Sequence, residues 1–145
     1  MYIDCSRSER KKIIKIIEKH LKNYNSYKVA ILNIKEQLER IRNRNVLEKE
    51  EKTLSYRRDK YKTLENNLME FELLVESIDR SLEDLSETEV DFIRFRYFMK
   101  WSIDKSAMNL GYSAKAIFSM RNQIMDRLMI SLSSIIQIEE AMQCK

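Results

Sequence analysis

From residue 13 onward, large side chains return every three or four positions: Ile13, Ile17, His20, Tyr24, Tyr27, Ile31, Ile34, Leu38 and Ile41. That spacing keeps one stripe on one face of an α-helix. Ser6 and Glu9 stand just ahead of it at capping-box spacing, so the helix is predicted to begin near Arg7. The stripe stops at residues 42–45, RNRN, where asparagines that tolerate left-handed backbone predict a turn. A second stripe has stricter register. Tyr61, Leu68, Val75 and Leu82 fall seven apart, with Leu64, Phe71, Ile78 and Leu85 interleaved at the d positions, a coiled-coil pattern over four heptads. Two long helices joined near residues 42–55 would make an antiparallel hairpin. Ile14, Ile16 and Leu21 widen the first stripe beyond a two-helix seam, so the hairpin is expected to pack on a second copy or on the rest of the chain.

A sharper mark follows at residues 85–90, LSETEV. Ser86 and Glu89 form another capping box, with Leu85 and Val90 at hydrophobic-staple positions. The helix they start is predicted to run from Glu87 to about Met99 and to bury Val90, Ile93 and Tyr97, with Phe92, Phe95 and Phe98 widening its apolar surface. Ser102 caps a short helix whose inner face is Ile103, Ala107 and Leu110. Then comes Gly111, the one glycine in a chain that has no proline. A left-handed residue there ends one helix so that Ser113 starts the next within three residues, with Ile117, Met120, Ile124 and Leu128 inward, which is a helix-turn-helix pattern. Beyond it Ile130, Ser134 and Ile138, with Leu132, Ile135 and Ile136, predict a tail helix apolar on more than one side, packing on the hairpin or a second subunit. The predicted fold is all-α: a long N-terminal helical hairpin, coiled-coil-like, over residues 1–84, a helix-turn-helix domain over 85–130, and a helical tail over 131–145.

Composition narrows the function. One glycine and no proline in 145 residues argue against tight hairpin turns, phosphate loops and dinucleotide folds. No apolar run reaches bilayer length, and no signal-peptide core follows residues 1–5, so the chain is expected to be cytoplasmic and free of membrane partners. Cys5 and Cys144 lack metal-ligand spacing and read as incidental thiols, and His20, the lone histidine, reads as a seam residue. No nucleophile–base pair emerges, so no enzyme, metal or cofactor is expected. The runs RKK at 10–12 and RR at 57–58 read as solvated faces.

The outer face of the helix begun by Ser113 carries Ala114, Lys115, Phe118, Ser119 and Asn122. In a DNA-binding helix-turn-helix that face enters the major groove. Lys115 would contact phosphate or guanine, Asn122 adenine, and Ala114 or Phe118 a thymine methyl. The amides at Ser113 would hold a phosphate, with Arg121 and Arg127 as further backbone anchors. Net charge is +4, but residues 84–145 carry eight basic and eight acidic side chains. Over residues 113–128 the balance is better, Lys115, Arg121 and Arg127 against Asp126.

Residues 85–128 resemble the helix-turn-helix of sigma-factor region 4 and, more closely, phage late-gene transcription regulators of the ArpU and RinA kind. The resemblance rests on Leu85, Glu89, Arg96-Tyr97, Trp101, Ala107, residues 110–113 (LGYS), Ile117 and MRNQIMDRL at 120–128. It implies a DNA-binding activator of phage or prophage genes; double-stranded DNA is the expected partner, and contact with RNA polymerase is a further expectation of the regulator reading. Two departures stand out: Ser106 replaces an apolar residue beside Ala107, and the recognition helix opens with less arginine than usual. A buried Ser106 is expected to bond back to the Ser102 carbonyl. A homodimer through the hairpin is expected. A small-terminase-like packaging protein, forming larger rings, and a protein-binding module with a helix-turn-helix that has lost DNA contact are the competing readings.

Overall fold

The computed structural model describes residues 6–45 and 51–143, so Cys5, Cys144 and the segment joining the two long helices lie outside the described residues. Every element among the described residues is helical: α1 (Arg7–Lys22), α2 (Tyr24–Asn45), α3 (Glu51–Glu83), α4 (Glu87–Ile93) with a π-helical turn (Arg94–Phe98), α5 (Ile103–Leu110), α6 (Ala114–Ser131) and α7 (Ser133–Gln143). None of these helices is long and apolar enough to cross a membrane.

The first stripe does not make one helix. Asn23 leaves helical geometry at φ −94° and ψ 0°, its N–H bonding back to the Lys19 and Leu21 carbonyls, and separates α1 from α2. The expected turn at residues 42–45 is instead the last turn of α2. The break divides the stripe between two surfaces. Ile13, Ile17 and His20 are buried among the C-terminal helices, because α1 packs on the π turn, α6 and α7. Tyr27, seven residues past His20, lies instead against Phe71 of α3, ring centroids 5.6 Å apart.

The chain accordingly forms two units, one from the chain up to Tyr24 together with the chain from Glu76, the other Asn25–Val75. In the second unit α2 and α3 lie side by side and run in opposite directions, from Tyr27 opposite Phe71 to Arg42, whose guanidinium donates to the Tyr61 hydroxyl at 2.9 Å. In the first unit Ile78, Phe92, Ile93, Tyr97, Ile117, Ile124 and Leu128 join the α1 isoleucines in one core. Burial of each such side chain contributes about 1.5–3 kcal/mol.

Local starts follow the sequence closely. Ser6 and Ser86 each form the full capping box with Glu9 and Glu89. The predicted helix over 87–99 is less regular: after Ile93 it widens to π geometry, and Phe92 rather than Val90 is buried. Lys100 takes φ +59°, and the Trp101 amide reaches back to the Phe95 carbonyl at 2.9 Å. Trp101 stacks on Phe95 at 4.8 Å and lies under the Lys105 ammonium at 4.2 Å. The tail helix α7 packs on α1 and α6 of its own chain, burying Ile135 and Ile136 while Ile138 stays exposed.

Candidate nucleic-acid interface

Gly111 closes α5 in the left-handed region, φ 75° and ψ 29°, with its N–H directed to the carbonyls of Ala107 and Met108. Tyr112 N–H then reaches the Ala107 carbonyl at 2.9 Å, which satisfies the end of α5. Two residues later the Ser113 hydroxyl accepts from the Ala116 amide and starts α6. Behind the turn, Ser106 is fully buried and its hydroxyl donates to the Ser102 carbonyl at 3.0 Å, while the small Ala107 side chain is also buried.

This frame leaves Ala114, Lys115, Phe118, Ser119 and Asn122 exposed together on the first turns of α6. Phe118 is 50% exposed, so it is no part of the core. The outer face ends after Asn122. Met125 and Met129, which follow on the same side, are buried where α1 crosses α6. There the Arg10 guanidinium pairs with Asp126 and donates to the Asn122 carbonyl at 3.4 Å.

The two arginines expected as backbone anchors are placed differently from the outer face. Arg121 turns inward, its Nη2 3.2 Å from Glu18 Oε1, and Tyr97 donates to the other Glu18 oxygen at 2.8 Å. Burial, with the Glu18 charge beside it, pushes the Tyr97 hydroxyl well above its ordinary range, so it stays a neutral donor. Arg127 lies 2.9 Å from Glu89, the same carboxylate that caps the α4 start. Arg127, Glu89, Tyr112, Ser119 and Gln123 help line a shallow groove of about 480 Å³ beside the α6 face. Glu18 carries no mark in the sequence, and Arg10, expected on a solvated face with the RKK run, instead pairs with Asp126; nothing in their spacing marks α6 as the partner of α1.

No family model, curated protein or solved structure matches this chain.

Proposed function

We propose that this protein is a sequence-specific DNA-binding regulator that lays residues 114–122 of α6 in the major groove as the second helix of a helix-turn-helix. The observation that carries the reading is the exposed face itself: Lys115, Phe118 and Asn122 share it with their side chains exposed. Lys115 supplies a cation for phosphate or guanine, Asn122 an amide for adenine, and Phe118 an apolar contact for a thymine methyl. The resemblance of residues 85–128 to phage late-gene regulators supports an activator of phage or prophage genes. With Arg10, Arg121 and Arg127 engaged by Asp126, Glu18 and Glu89, the phosphate grip is modest, and affinity rests on base contacts more than on charge.

Selection of bound fragments from a random DNA pool tests this directly. A defined consensus is expected. Asn122→Ala should cost about 1–3 kcal/mol on the preferred site and little elsewhere. Lys115→Ala should weaken every sequence and flatten the salt dependence by about one phosphate contact. Recovery of no consensus would refute the reading.

A further inference from the structure

The apolar side of α1 is taken up by the core, where its four isoleucines, His20 and Leu21 are buried. Of its eight exposed residues six are cations and one, Glu9, is an acid. Glu9 is held in the capping box with Ser6, and Lys19 is paired with Glu139. Among the described residues, Lys11, Lys12, Lys15 and Lys22 have no carboxylate partner.

Three of these lysines share an edge. Lys11, Lys15, Glu18 and Lys22 recur at spacings of three and four, which sets them in one row along the helix. Glu18 shows which way the row faces: its carboxylate lies 3.2 Å from the Arg121 guanidinium of α6, while Arg10, just before Lys11, donates to the Asn122 carbonyl. The lysine edge is therefore the one that meets α6 beside the end of its exposed face. Lys15, Lys19 and Lys22 border an open depression of about 310 Å³, and the one acid on its wall, Glu18, is already engaged by Arg121 and Tyr97.

We propose that Lys11, Lys15 and Lys22 of α1 form a second DNA contact, gripping the phosphates of one strand beside the stretch of major groove that α6 enters. The inference rests on the DNA-binding reading of α6 and names the backbone clamp that goes with it. The modest grip of Arg10, Arg121 and Arg127 is theirs alone; α1 adds free cations on an adjoining surface. From Lys11 to Lys22 the row spans about 16 Å at 1.5 Å per residue, a length over which one strand presents about five phosphates. A duplex fits better than a lipid surface, because a helix lying in a membrane needs its apolar side free, and that side of α1 is buried. It fits better than an acidic protein, because the row adjoins the face of Lys115 and Asn122, and phosphates flank any groove that a helix enters.

Titration of the full chain with duplex DNA over a salt series tests the row. Lys11→Gln with Lys15→Gln and Lys22→Gln should weaken binding roughly tenfold or more and lower the slope of log K against log salt by about 2–3, at about 0.9 per phosphate contact. Consensus and scrambled duplexes should lose affinity by the same factor, so discrimination between them is kept. All three positions are exposed, so helical circular dichroism should not change. The same three changes to arginine should restore the slope, and Lys12→Gln, off the row, should lower it little. An unchanged slope in the triple glutamine variant, or an equal fall in Lys12→Gln alone, overturns the row and leaves the reading of α6 standing. A slope that falls in the triple variant when no consensus can be selected keeps the row as a DNA contact and refutes α6 as the reader. Wild-type protein that binds no duplex overturns both. Binding to phosphatidylserine vesicles that needs these lysines, with duplex affinity unchanged by their loss, assigns the row to lipid and overturns the proposal.

Discussion

Gly111 has a positive φ of 75°, and a Cβ built there would meet open space. The cost of a side chain at this position is therefore backbone strain alone. Gly111→Val should lose about 1–2 kcal/mol, and Gly111→Asn clearly less, since asparagine tolerates the left-handed region. Thermal melts of the two variants check the order; equal losses would mean that contacts rather than strain matter. Ser106 is the other residue whose role is local, because the carbonyl it serves also accepts the Ser106 amide at 3.0 Å. Both positions were legible in the sequence, for the same physical reason. A left-handed cap and a hydroxyl bonding one turn back involve only neighbours within four residues.

At the scale of elements, legibility ended where a helix chose its partner. The capping boxes at Ser6 and Ser86 and the caps at Ser102 and Ser113 were all readable from short spacings. The break at Asn23 was not, because the three-and-four spacing runs through it from His20 to Tyr24 and Tyr27. Periodicity reports which face is apolar, and it is silent on what covers that face. In the structure α1 covers the later turns of α6, and Glu18 is the polar link, tied to both Arg121 and Tyr97. Glu18→Ala leaves the buried Tyr97 hydroxyl and the largely enclosed Arg121 guanidinium without their acceptor and should cost about 1–3 kcal/mol. Chemical denaturation would show it. Arg121→Ala should likewise lower stability, whereas an unchanged fold with uniformly weaker DNA binding would return Arg121 to the role of phosphate anchor.

For the whole molecule, acid should loosen the packing of α1 on α7. His20 is buried with its Nε2 2.5 Å from Glu139 Oε1, and burial holds its pKa below the ordinary 6.5 despite the opposing pull of the carboxylate. The unfolded chain therefore binds the proton more readily than the folded one. The histidine's contribution is present above about pH 6.5 and is lost as pH falls toward the depressed value, with a limit of about 1.4 kcal/mol per unit. Denaturation midpoints of wild type and His20→Gln, compared between pH 7.5 and 5.5, should show the steeper decline in wild type. A wild type that gains stability relative to the variant on acidification would mean that the Glu139 ion pair dominates.

The exposed first turns of α6, the covered later turns and the engaged arginines together define a short face of low charge, the one proposed to enter the major groove. Its most direct test is the affinity of wild type and of Lys115→Ala with Asn122→Ala for a fragment carrying the selected consensus, each measured beside a scrambled fragment. The double variant is expected to keep its helical content and thermal midpoint but to bind the consensus no better than the scrambled fragment. Unchanged discrimination between the two fragments would contradict it.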